Sequence, residues 1–188
     1  MKKLMLMVLA AGLSVAAFAQ GQPQPAQPPA QSADTAKPAA EPKPADVQSI
    51  DAILKALYDV ISGPPGPRDW NRFHSLFLPE AHLIVSGKRP DGTFFHRAMT
   101  PQEYQERSGA FFLKEGFFES SIANKIEQFG TIAHVFSTYE SRHEKGAQPF
   151  ARGINSIQLL NDGKRWWVVN ILWDSERPDN PIPDKYLK

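Results

Sequence analysis

The sequence predicts an α+β domain in which three N-terminal helices pack on a curved antiparallel sheet. Helical periodicity is confined to the first part of the chain, and from residue 117 onward four runs have strand character. The turn Asn161-Asp162-Gly163, with strand residues on both sides, is the clearest hairpin signal in the chain.

Residues 1–19 have the three parts of a secretory signal peptide: Lys2 and Lys3, an apolar stretch from Leu4, and Ala17-Phe18-Ala19 before a cut at Gln20. The apolar stretch is too short to span a bilayer, so no membrane span is expected after cleavage. The chain is expected to be exported, to a periplasm or out of the cell. Residues 20–46 hold seven Pro, seven Ala and five Gln, the composition of a disordered linker. Residues 47–175 form the predicted domain and 176–188 a proline-containing tail.

Ile50, Ile53, Leu54, Leu57, Tyr58 and Ile61 form one apolar stripe at helical spacing. Asp46 or Ser49 can cap that helix, and Gly63-Pro64-Pro65-Gly66-Pro67 stops it. A second helix is predicted over 69–77, with Trp70, Phe73 and Phe77 inward and Pro79 at its end. Short strands follow over 82–86 and 93–97, joined by Arg89-Pro90-Asp91-Gly92. Thr100, Pro101 and Glu103 make a capping box for a third helix that runs to about Lys114. The strand runs are 117–129, 132–143, 151–160 and 165–174.

In the last run, strict alternation puts Trp166, Val168, Asn170 and Leu172 on one face and Trp167, Val169, Ile171 and Trp173 on the other. Both faces are largely apolar, so both need cover. The helices cover one. A second subunit or the tail covers the other, and a homodimer through the sheet is the expectation.

The chain resembles the nuclear transport factor 2-like superfamily, and its bacterial SnoaL-like members in particular. The resemblance lies in Trp70-Asn71-Arg72-Phe73, Phe77-Leu78-Pro79-Glu80-Ala81, residues 133–142, residues 153–160 and Asp162-Gly163-Lys164-Arg165-Trp166-Trp167-Val168-Val169. It implies a cone of bent sheet and helices with a pocket inside. Members include ketosteroid isomerases, polyketide cyclases, dehydratases and epoxide hydrolases, and dimers through the sheet are common among them. Fold alone does not select among these activities.

The matching pocket positions on the last strand hold Asn170 and Leu172. Asn170 can orient a ligand but cannot move a proton at neutral pH. His134 is a candidate base, or a half-buried sheet histidine satisfied by a neighbour. Tyr139 can donate a hydrogen bond to a carbonyl oxygen, or pack with its hydroxyl at a rim. His96 can reach a pocket mouth. Arg152 can hold an anionic ligand or pair with Glu140 or Glu144. Trp70, Phe73 and Phe77 can line a cavity or form ordinary core.

The net charge of +1 gives no footprint for nucleic acid, and the absence of cysteine excludes disulfides and thiolate chemistry. The five histidines show no ligand spacing, so no metal is expected. No cofactor motif is present. Three readings follow: an exported domain that binds a small apolar or amphipathic molecule, an isomerase, cyclase or lyase-type enzyme, or an envelope protein-interaction module.

Overall fold

The computed structural model describes residues 41–188. The expected signal peptide, and the expected linker up to residue 40, lie outside the described residues. Helical segments are α1 (Pro44–Val47), α2 (Ile50–Ile61), α3 (Trp70–His74) and α4 (Pro101–Lys114). Strands are β1 (Phe77–Lys88), β2 (Phe94–Met99), β3 (Phe118–Phe129), β4 (Ile132–Arg142), β5 (Ala151–Asn161) and β6 (Trp166–Ser175). Among the described residues, no helix is long and apolar enough to cross a membrane.

The six strands form one sheet in the order β2-β1-β6-β5-β4-β3. It is mixed, not antiparallel as expected, because β1 and β6 run parallel. The connection explains this. After the β1–β2 hairpin the chain crosses through α4 to the far edge, and the meander β3 to β6 returns beside β1 in the same direction.

The expectation of three N-terminal helices is also revised. Only α2 and α4 exceed two turns, and α1 and α3 are single turns. The second helix ends at His74, so Phe77 opens β1 instead of closing a helix. Pro79 accounts for this, since it forces Leu78 into extended backbone and cannot continue a helix. The linker boundary moves as well. Asp46 is buried within α1 and accepts two hydrogen bonds from Arg72, at 2.7 and 2.9 Å. That guanidinium holds the Asp46 carboxyl below its ordinary range. The cap of α2 is therefore Ser49, whose Oγ accepts from the Ala52 amide at 3.1 Å.

The capping box of α4 is present, with reciprocal bonds between Thr100 and Glu103. The β5–β6 hairpin turns at Gly163, whose φ of +89° suits glycine. Asp162 braces that turn by accepting from the Lys164 and Arg165 amides and from the Trp167 indole. The core lies between α2, α3 and the inner face of the sheet. Ile53, Leu54, Phe73 and Leu76 meet Val135, Ile157, Leu159 and Val168 there, and these apolar contacts are the main favourable term.

The strict alternation is interrupted in three ladders, between Phe77 and His82 of β1 where it pairs β6, and at a bulge in each of β3 and β6. One bulge inserts Ile122 between paired residues of β3. The other leaves Val169 unpaired, because Gln158 faces Asn170 while Leu159 faces Val168. The extra residue reverses the parity of the rest of β6. Val168, Ile171 and Trp173 therefore point inward, and Asn170 and Leu172 point outward.

Residues beyond Ser175 run across the outer face as a strap. Ile182 is buried, the Tyr186 ring lies 4.9 Å from Phe136, and Thr138 donates to the Tyr186 carbonyl at 2.6 Å. Ion pairs Lys88–Asp179, Arg177–Asp174 and Arg152–Glu176 fasten its start.

Candidate functional site

Helix α2 presents Leu57 and Tyr58 to the inner face of the sheet, and Phe73 and Tyr104 approach from α3 and α4. Between them is a cavity of about 160 Å³. Leu57, Phe73, Phe77, Ile157, Ile171 and Trp173 give it an apolar body. Its polar end is built from Tyr58, Glu119, Tyr139 and Asn155.

These polar groups are fixed by partners on the same face. The Tyr58 hydroxyl shares a hydrogen bond with Ser137 Oγ at 2.6 Å and accepts one from Asn155 Nδ2 at 3.2 Å. Ser141 Oγ donates to Glu119 Oε2 at 2.7 Å. Tyr139 shares a hydrogen bond with Ser175 Oγ at 3.2 Å. Gly153 makes room for Tyr139, since a Cβ there would sit 2.6 Å from the phenol oxygen and 2.4 Å from the Asp174 carbonyl. A bare backbone on β5 thus sets where the phenol lies.

Burial pushes the Glu119 carboxyl up to about 7, against the opposing hydrogen bonds from Ser141 and Asn155. Both protonation states are then populated near neutrality, which suits a group that gives or takes a proton. Burial also pushes Tyr139 up to about 12 and Tyr58 above its ordinary value. Both phenols therefore stay protonated at neutral pH and can donate.

Of the residues singled out from sequence, Tyr139 lines this cavity. Trp70 packs beside it, stacking on Phe112 and meeting Phe73 edge-on. Phe73 and Phe77 serve both as core and as cavity wall. Asn170 is not in the cavity, because the Val169 bulge turns it to the outer face. Arg152 is also on the outer face, where it pairs with Glu140 at 3.3 Å and Glu176 at 3.4 Å. His134 lies outside too, with its Nε2 2.9 Å from Ser156 Oγ. His96 is exposed on the edge strand β2, opposite Ser86. Among the described residues, no group of three or more His, Asp or Glu side chains is placed to hold a metal ion.

Sequence reasoning missed Glu119, Tyr58 and Asn155. A usable signal existed for two of them. Tyr58 sits within an otherwise aliphatic helix stripe, and Asn155 shares strand parity with Ile157 and Leu159. A polar group on an apolar face is the informative exception.

No protein-family model matches the sequence, and no curated protein matches it. Solved structures do. A protein of unknown function with a cystatin-like fold from Nostoc punctiforme superposes with a TM-score of 0.52 at 11% identity, covering 70% of this chain and 91% of that one. An uncharacterised protein with a cystatin-like fold from Caulobacter vibrioides gives 0.49 at 13% identity, covering 70% and 90%. A nuclear transport factor 2-like protein of unknown function from Silicibacter pomeroyi gives 0.45 at 12%, covering 69% and 94%. The chain therefore shares the cystatin-like fold of the Nostoc punctiforme protein. At these identities the likeness gives the fold and no activity.

Proposed function

We propose that the domain takes up a small, mostly apolar molecule with one hydrogen-bonding end, and that Glu119 exchanges a proton with it. The observation that carries this reading is a carboxyl at the polar end of an otherwise apolar cavity, beside two phenols and an amide. A molecule with a carbonyl group fits that arrangement. Its oxygen would accept from Tyr58 or Tyr139, and the Glu119 carboxylate would remove a proton from the adjacent carbon. Returning that proton to another carbon is an isomerisation, and loss of a leaving group instead is a lyase reaction. The apolar walls would hold the molecule and exclude water.

The composition of residues 1–19, two lysines before an apolar stretch and Ala17-Phe18-Ala19, supports a second part of the reading, that the domain works after export. Native mass spectrometry of the chain, expressed with its own leader and purified from the compartment it reaches, tests both. The expected result is a mass lacking residues 1–19 and carrying a retained small molecule. Retained residues 1–19 would overturn the export reading. A Glu119→Gln variant that supports the same chemistry on that molecule would overturn the proton-transfer role.

A further inference from the structure

The strap on the outer face stands off from the sheet between two fastenings. Arg177 and Asn180 close a tight turn through reciprocal backbone bonds of 3.2 and 2.9 Å, which sends the chain back over the strands. Pro181 and Pro183 then flank Ile182, and their fixed φ keeps this stretch from coiling down onto the floor. Ion pairs to Lys88, Arg152 and Asp174 hold the start of the strap, and Thr138 and Phe136 hold its end beneath Tyr186. Between the fastenings lies a cavity of about 510 Å³, the size of a small-molecule site. Its floor is Phe136, Ile154 and Leu172, and its roof is Pro181, Ile182 and Pro183. The sheet separates it from the inner cavity, and of their lining residues the two share Trp173.

One end of this cavity is polar. Strand pairing sets Ser156 between Phe136 and Leu172 on the floor. Its Oγ lies 2.9 Å from His134 Nε2, and a hydroxyl that accepts there still has a proton to donate. The Tyr186 ring lies 4.9 Å from Phe136, and Lys185 Nζ lies 4.7 Å over that Tyr186 ring. The ammonium therefore stands at the same end as Ser156. Three charged residues line the cavity: Asp174, Glu176 and Lys185. Both acids are already satisfied. Asp174 accepts from Arg177 at 2.5 and 3.1 Å, and Glu176 accepts from the Ile182 amide at 3.0 Å and faces Arg152 at 3.4 Å. Lys185 has no ion-pair partner among the described residues.

We infer that the cavity under the strap binds an amphipathic monocarboxylate, such as a medium-chain fatty acid. The apolar body lies between the floor and the proline-flanked roof, and the carboxylate sits between Lys185 Nζ and Ser156 Oγ. Charge selects this class. An anion supplies the missing partner of Lys185 in a charge-assisted hydrogen bond. A cation would meet Lys185 as a like charge and would find both carboxylates already bonded. A neutral apolar molecule would gain only the burial of its body. The two fixed ends preform the roof, so little chain entropy is lost when the cavity fills. The site is independent of what the inner cavity holds.

The test is methyl NMR of the full chain, expressed with its own leader and titrated with dodecanoate below its micelle-forming concentration. Dodecanol, which lacks the carboxylate, is titrated separately. Saturable shifts with dodecanoate are expected at Ile154, Leu172 and Ile182. Lys185 is exposed, so Lys185→Gln and Lys185→Arg should both melt within a few degrees of the parent. Lys185→Gln should weaken dodecanoate about tenfold, and Lys185→Arg should return it to within roughly threefold of the parent. Dodecanol should bind the parent about tenfold more weakly than dodecanoate. Shifts confined to Leu57, Ile157 and Ile171 would place the probe in the inner cavity and overturn the proposal. So would the lack of any saturable shift, an affinity indifferent to Lys185→Gln, or dodecanol binding as tightly as dodecanoate.

Discussion

Replacing Glu119 by Gln removes a group that the cavity forces to ionise late. The folded carboxyl titrates at about 7 and its ordinary value is 4.5. A raised carboxyl binds its proton more tightly in the folded chain than in the unfolded one. Its favourable contribution is therefore fully present below pH 4.5 and is lost as pH rises through 7. The difference corresponds to about 3 kcal/mol between the two plateaus. Gln keeps the shape and does not titrate. The stability difference, parent minus Glu119→Gln, should fall by about 3 kcal/mol between pH 4.5 and pH 9, most of it between pH 5 and 7.5. In a domain of this size that is a relative melting shift of roughly 6–12 °C. Urea denaturation of both proteins at half-unit steps of pH measures it, and the subtraction cancels every other titrating group. A difference that stays flat over this range would refute the placement of Glu119 in an apolar site.

Further substitutions probe other parts of the account. Gly153→Ala should destabilise by roughly 2 kcal/mol or more, since the new methyl meets Tyr139 and the Asp174 carbonyl; urea denaturation reads it, and Tyr139 fluorescence should change with it. Asp46→Ala should cost about 1–3 kcal/mol by leaving the half-buried Arg72 without its partner. The lowered Asp46 pKa makes that contribution present above pH 3.8 and lost as pH falls below it, so the two proteins should converge in acid. Thr100→Ala should cost about 1 kcal/mol through the lost cap of α4, again by urea denaturation. Ile182→Asp puts a charge where the strap is buried. Limited proteolysis should then cut the strap earlier than in the parent.

Much of this fold was legible in the sequence because its signals are local. The α2 stripe, the α4 capping box and the Asp162-Gly163 turn each declare themselves within a few residues, and each is found where expected. The parallel pairing of β1 with β6 has no local signature, since it depends on where a returning meander docks. The start of β1 was hidden because Phe73 and Phe77 sit at helical spacing, and Pro79 overrules that spacing.

The site was less legible, and one residue explains much of this. Strict alternation along β6 places Asn170 in the pocket, but the unpaired Val169 turns it out and brings Ile171 and Trp173 in. A bulge is defined by its partner strand, so a single strand read alone cannot reveal it. Glu119 was missed for a related reason. Its inward direction follows from pairing with Ser141 across the β3–β4 ladder, which no spacing within β3 records. Tyr139 was found because Ala133, Val135 and Ser137 mark its face on a strand without a bulge.

The claim that the inner cavity receives a small apolar molecule against Glu119 is tested most directly by methyl NMR with benzyl alcohol as probe. With the isoleucine and leucine methyl groups assigned, the account predicts saturable shifts at Leu57, Ile157 and Ile171, reduced in Glu119→Gln, with Ile154 and Leu160 on the outer face unmoved. Shifts confined to Ile154 and Leu160, or no saturable shift at the inner three, would contradict it.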